Sequence, residues 1–145
     1  MEGFELTVIG DGSQRKNLEK IDKNVRFLGR HKKEDVLKEM QKSDIFILPS
    51  VGETFGMVYL EAMASGCITI CTEYEAVDGI IKNGETGFTT LPVSSEIRKL
   101  LEKIKNMDDD QIKTLRYNTF NTIKNFTQQK CCEDYLDNIK KFCTF

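Results

Sequence analysis

The chain is short of almost everything that would direct it to a membrane, to nucleic acid or to a metal. No apolar run approaches the roughly 20 residues that a membrane span requires, and the first residues lack a signal-peptide pattern. Neither sign of charge dominates: 21 lysines and arginines face 23 aspartates and glutamates, for a formal net charge of −2. With no basic face interleaved with aromatics, a nucleic acid partner is not expected. Histidine is reduced to His31 alone, and the five cysteines (Cys67, Cys71, Cys131, Cys132, Cys143) contain no C-x-x-C pair. A Cys/His zinc site therefore lacks a ligand set, and an odd number of such thiols fits a reduced, cytoplasmic protein. Repeats and low-complexity linkers are missing too. At 145 residues the chain can build one domain with a core and is too short for two ordinary ones.

What is present is a strand–helix alternation. β-branched and aromatic clusters predict strands over residues 4–10, 25–29, 44–50, 67–73 and 88–92. Helical spacing predicts helices from Ser13, as a cap, through Lys20, over 32–43, from about Phe55 to Ser65 with Gly66 as its stop, and a short one within 75–87. After Pro92 three helices follow, over 94–106 with a serine cap, 108–126 and 128–145. The run Asp108 to Asp110 reads as a capped helix start in preference to a metal site, because carboxylates suit the positive end of the helix dipole. "DIFILPS" and "CITICTE" are continuous apolar runs of the kind buried on both faces of a parallel sheet. The expected fold is α/β: a Rossmann-like, doubly wound parallel sheet over residues 1–92, with a C-terminal helical tail over 93–145 packing on the same lobe.

The segment "SVGETFGMVYLEAMASGC" (50–67) sets two carboxylates, Glu53 and Glu61, into an otherwise apolar, small-residue run. Burying a carboxylate costs several kcal/mol, roughly, unless something pairs with it. In a doubly wound sheet this loop lies at the carboxyl edge, where ligands bind. The N–H groups of Phe55, Gly56 and Met57 would open the following helix and offer an anion site. A carboxylate there is acceptor-only and can take two neighbouring hydroxyls, as a sugar or ribose beside a diphosphate would offer. Partners inside the protein could satisfy Glu61 equally well, and spacing alone leaves both readings open. Gly10, Asp11 and Gly12 resemble a dinucleotide fingerprint only superficially, since its third glycine would fall at Arg15, so NAD is not expected.

"ELTVIGDG", "NVRFLGR", "DIFILPS", "ETFGMVYLEAMASG" and "NGETGF" occur in that order over about residues 4–92. Together they resemble the C-terminal, donor-binding lobe of a family-4 glycosyltransferase, a retaining enzyme of GT-B architecture with its donor in the cleft between two Rossmann-like lobes. The resemblance implies a UDP- or GDP-sugar donor, no cofactor and no metal. It implies that Glu61 holds the donor ribose and that Glu53 is the catalytic carboxylate at the donor sugar. Thr54, Phe55, Gly56 and Met57 would contact the sugar and diphosphate, and Arg30 and His31 would frame the base.

The resemblance also implies what is not in this sequence. Relatives are more than twice as long, and their other, N-terminal lobe supplies the acceptor site. The lobe's own first strand and helix, with the arginine and lysine that neutralise the departing diphosphate, would precede residue 1. Because such donors carry orders of magnitude in rate, this chain is expected to transfer little or no sugar alone. The acceptor would be a glycan, lipid or polysaccharide precursor. The expected location is the cytoplasm, with any attachment to the inner membrane face made through the other lobe. The competing reading is a non-catalytic or partner-dependent nucleotide-sugar-binding module. An epimerase or a phosphorylase on the same fold fits the motif less well.

Overall fold

The computed structural model describes residues 3–75, 77 and 79–142. In chain order these form β1 (Thr7–Ile9), α1 (Arg15–Leu18), β2 (Arg26–Gly29), α2 (Lys33–Gln41), β3 (Ile45–Leu48), α3 (Met57–Ala64), β4 (Ile68–Thr72), β5 (Phe88–Thr90), α4 (Ser94–Lys105), α5 (Asp109–Ile123) and α6 (Gln128–Phe142). The chain divides into two compact units, Met1–Glu39 and Met40–Phe145. Each has its own sheet, and every strand pair is parallel.

In the first unit β1 pairs with β2, Thr7 opposite Arg26 and Val8 opposite Phe27, and the register then shifts so that Ile9 meets Gly29. The helix expected from Ser13 to Lys20 shrinks to the single turn of α1, with Gln14 at its N-cap and no side-chain cap bond. The physical reason is that α1 buries nothing, and one turn without tertiary packing gains too little to propagate. The Arg15 guanidinium lies over Gly29, its Nη1 2.7 Å from where a Cβ would stand.

In the second unit the strand order is β3-β4-β5. β4 is buried at all five positions, as a central strand of β-branched residues should be. β3, expected to be buried on both faces, is only half-buried, consistent with its place at an edge of this sheet. Tyr59, Leu60 and Met63 of α3 pack with Cys71 of β4 and with Val77 and Ile81, and Phe46, Leu48 and Ile123 close around them. Leu101 and Ile104 of α4 and Leu115 of α5 complete the buried apolar set. The Thr119 hydroxyl of α5 is shared between Leu115 O (2.8 Å) and Thr86 O (2.9 Å), tying α5 to the turn before β5.

Helix ends follow local chemistry, with two departures from expectation. Asp108 accepts from Gln111 N at 2.8 Å and Gln111 Oε1 accepts from Asp108 N at 3.0 Å, a complete capping box. For α4 the cap is Val93 in extended conformation, and the serine expected there, Ser94, is already the first helical residue. The short helix expected within 75–87 falls partly on residues 76 and 78, outside those described. The described residues from Glu75 to Thr86 run as turns and isolated bridges, Asn83 pairing with Gly87, with left-handed glycines at Gly79 (φ 92°) and Gly84 (φ 79°). Cys143 and the last residues of the expected final helix also lie outside the described residues. Among the described residues no helix is long and apolar enough to cross a membrane, and no three His, Cys, Asp or Glu gather as metal ligands would.

Two consequences can be measured. A Cβ on Gly87 would stand 2.6 Å from Thr69 O and 2.8 Å from Ile81 Cγ2. Gly87→Ala should therefore cost about 1–3 kcal/mol by forced displacement of a packed strand, read as a lower urea midpoint at unchanged slope. The second concerns Cys67, whose buried thiol donates to Met40 O at 3.1 Å. Burial pushes it from 9.0 up to about 11, with Arg116 opposing and Asp44 assisting. The unfolded chain loses this proton first, so the contribution to stability is complete below pH 9 and lost as pH climbs through about 11. Subtracting the pH profile of Cys67→Ala from that of the wild type should leave a decline confined to that alkaline window.

Candidate functional site

The loop between β3 and α3 begins where the ladder must stop, at Pro49, which has no N–H to donate. It turns twice through the left-handed region, at Gly52 (φ 80°) and Gly56 (φ 67°). Gly56 is required for space as well as for conformation. A Cβ there would lie 2.5 Å and 2.7 Å from Cδ2 and Cε2 of the Tyr59 ring, and 3.2 Å from Glu53 Cγ.

Tyr59 fixes the floor of this loop. Its side chain is fully buried, its ring meets Phe46 edge to face with centroids 5.8 Å apart, and its hydroxyl donates to Leu48 O at 2.6 Å. That uses the only phenolic proton, so Ser50, at 3.3 Å, is the donor in the bond between the two hydroxyls. Burial pushes the Tyr59 pKa up; Ser50 opposes the shift, while Cys71, Glu53 and Glu75 add to it. The phenol is thereby held in its protonated, donating form.

The carboxylates lie around that floor. Glu53 is half-buried and its Oε1 accepts from Thr54 N at 3.2 Å. Glu61 is half-buried in the second turn of α3. Thr54, Phe55 and Met57 are exposed and Gly56 is buried. Among the described residues, no hydrogen bond uses the N–H groups of Phe55, Gly56 or Met57. Gly56 is the N-cap and Met57 the first residue of α3, with Phe55 just before them, so these amides lie at the end where the helix dipole presents partial positive charge. The 50–61 segment thus brings Glu53, Thr54, Phe55, Gly56, Met57 and Glu61 into one loop and the first turns of one helix.

Arg30 and His31 belong to the first unit, immediately past β2, and both are exposed. His31 acts on its own unit: together with Lys38, the main cause at 3.0 Å, it lowers the pKa of Asp35.

Sequence reasoning missed Glu75. Its Oε1 accepts from Gly52 N and its Oε2 from Glu53 N, each at 2.9 Å, so one carboxylate clasps two successive amides of the loop. Nothing in the sequence marks it; the parallel register, with Leu48 opposite Cys71, sends the chain after β3 and the chain after β4 out from neighbouring strand ends.

Comparison with known proteins now gives this loop a setting. The family model of glycosyl transferases group 1 matches residues 2–124. The chain is similar to an uncharacterized glycosyltransferase of Methanocaldococcus jannaschii, with 32% identity over 135 residues, 88% of this chain and 38% of that protein. Similarity to the sulfoquinovosyl transferase of Arabidopsis thaliana is 29% over 111 residues, 73% of this chain and 21% of that one. The backbone matches that of Anabaena HepE, solved in complex with UDP-glucose, with a TM-score of 0.75 at 21% identity, over 93% of this chain and 40% of that one. This likeness establishes a Rossmann-like α/β fold of the kind found in GT-B glycosyltransferases. The chain spans two fifths or less of the length of each of these proteins. With 123 of its residues under one family model, this chain belongs to the glycosyl transferases group 1 family.

Proposed function

We propose that this chain is the C-terminal, donor-binding lobe of a retaining, family-4 glycosyltransferase and that residues 50–61 hold a UDP- or GDP-linked sugar. The observation that carries this reading is the row of three amides at Phe55, Gly56 and Met57, unused among the described residues and set between Glu53 and Glu61. A diphosphate is the anion that such a row suits, being multiply charged and rich in acceptors. The carboxylates suit the rest of the donor. Glu61 accepts from the ribose hydroxyls, and Glu53 accepts from the sugar hydroxyls as the catalytic carboxylate.

In the transfer, the bond from the anomeric carbon to the diphosphate oxygen breaks and the diphosphate leaves with the electron pair. A new bond forms from that carbon to an acceptor hydroxyl oxygen, whose proton passes to the departing diphosphate oxygen. The transition state carries positive charge on the sugar and growing negative charge on the diphosphate. The Glu53 carboxylate stabilises the first and the amides of α3 the second. Residues 50–61 include no lysine or arginine, so this segment meets the leaving charge with N–H groups alone, and transfer by the chain on its own is expected to be slight. Arg30 and His31 are assigned to the base from the resemblance of their segment. Residues 1–92 are read as the nucleotide-sugar core and 93–145 as helices on the same lobe. The acceptor is a glycan, lipid or polysaccharide precursor.

Calorimetric titration with UDP, GDP, ADP and their sugar derivatives tests the reading. Saturable binding of one nucleotide is expected. Glu61→Ala should weaken it about 10-fold or more, since hydrogen bonds to a charged group contribute roughly 1.5–3 kcal/mol each. Glu53→Gln should weaken the sugar-bearing form more than the bare diphosphate. A folded chain that binds none of these nucleotides would overturn the proposal.

A further inference from the structure

Glu75 lies outside the segment just assigned, yet it makes the longest-range side-chain contacts of the β3–α3 loop. Both its oxygens are used, one on Gly52 N and one on Glu53 N, at 2.9 Å each, across 23 and 22 residues of sequence. Glu53 is thus fixed at its backbone by Glu75, while its own side chain caps the next amide, Thr54 N, at 3.2 Å. Between Ser50 and the buried Gly56, both held at Tyr59, little else steadies the loop: Val51, Gly52, Thr54 and Phe55 are all exposed, and Gly52 is free to leave its left-handed conformation at no steric cost. The chain also turns abnormally to bring Glu75 there. Tyr74, directly before it, is the one non-glycine residue among those described with a left-handed φ, 62°, and the residue is 88% exposed, so burial of its side chain does not account for the turn.

We infer that Glu75 is a positioning residue for the donor sugar: its bidentate grip on Gly52 and Glu53 sets where the Glu53 carboxylate stands. This rests on the donor reading given above and adds to it a residue from a different strand end. The grip also divides the loop's amides. Gly52 and Glu53 are committed to an internal anion, which leaves the Phe55, Gly56 and Met57 amides for the diphosphate. Glu61 and the start of α3 are held independently, by the buried Tyr59, Leu60 and Met63. Loss of Glu75 therefore acts mainly on the sugar end of the donor: of the three diphosphate amides only that of Phe55 lies in the loop it steadies, while Gly56 and Met57 stand at the packed start of α3. Glu75 discriminates a sugar nucleotide from a bare nucleotide without touching either.

The test compares UDP with UDP-glucose, and GDP with GDP-mannose, on the wild type, Glu75→Ala, Glu75→Gln and Glu73→Gln. Glu73→Gln removes a charge from the same turn, where Glu73 N bonds to Thr90 O, and leaves the grip in place. For the pair the wild type binds, Glu75→Ala should weaken the sugar nucleotide about 10-fold or more and the bare nucleotide less than about 3-fold. Glu75→Gln, which keeps one acceptor oxygen, should fall between, and Glu73→Gln should match the wild type. Hydrogen exchange read without ligand gives the second arm. The Gly52 and Glu53 amides should exchange at least 10-fold faster in Glu75→Ala while β4 amides stay protected, which also shows that the variant is folded.

Equal weakening of both ligands, tighter binding of either, or unchanged exchange at those two amides would overturn the role given to Glu75 and leave the donor reading standing. Wild-type binding of neither pair would remove both. Selective loss of the sugar nucleotide together with released amides would establish the positioning role.

Discussion

The hydrogen bond from the Tyr59 hydroxyl to Leu48 O is the constraint on which the loop depends. It joins the last residue of β3 to the first turn of α3, the two ends between which the 49–56 segment is strung. A fully buried phenol would cost several kcal/mol, roughly, if its hydroxyl had no partner; here it has a short bond to a carbonyl and a second from Ser50. With the ring fixed against Phe46, the backbone above it has no room for a side chain, and Gly56 follows from that. The left-handed turn at Gly56 then leads into α3 with no side-chain cap, and among the described residues the Gly56 and Met57 amides take no partner. One aromatic residue in the core thus dictates why the helix opens on bare N–H groups.

Charge is the second consideration, because the loop holds its negative groups close together. Glu53 and Glu75 both act on the Tyr59 hydroxyl, and no lysine or arginine lies within residues 49–61. What balances them is backbone: Gly52 N and Glu53 N to Glu75, and Thr54 N to Glu53. Ordering one residue of chain costs about 1–2 kcal/mol, and a hydrogen bond to a charged group contributes about 1.5–3 kcal/mol. Three such bonds over three consecutive residues are enough to keep this stretch ordered without a packed side chain. The same stretch is exposed on every side chain but that of Glu53, so it is ordered yet accessible.

Much of this was legible in the sequence, and the parts that were not share a cause. Apolar runs rich in β-branched or aromatic residues marked all five strands, and the apolar spacing of residues 55–65 placed α3 within two residues of its observed ends. The capped helix start at Asp108 was legible because a cap acts within its own turn, and Gln111, three residues on, completes it as a capping box. Ser13 and Ser94 looked like equally good caps and are not, since the backbone entering each helix decides whether the hydroxyl can reach back. β3 reads as buried on both faces because composition reports apolarity and cannot report that a strand ends up at an edge. Glu75 was hidden for a related reason: its partners are 22 and 23 residues distant, and they meet only because β3 and β4 end side by side, Leu48 opposite Cys71.

The turn at Tyr74 shows which of these contacts is structural cause and which is consequence. A non-glycine residue in the left-handed region costs about 1–2 kcal/mol, and Tyr74, 88% exposed, recovers little by burial. The conformation must therefore be held by what lies on either side of it. On one side is Glu73, whose N–H bonds to Thr90 O at 3.1 Å and keeps the chain in line with β5 just past the end of β4. On the other is Glu75, with two charge-assisted bonds that together exceed the cost of the turn. Two firm anchors two residues apart leave the intervening residue to absorb the mismatch between them. The loop after β3 and the turn after β4 are accordingly one mechanical element, and the backbone strain in it falls on the residue that makes neither anchor.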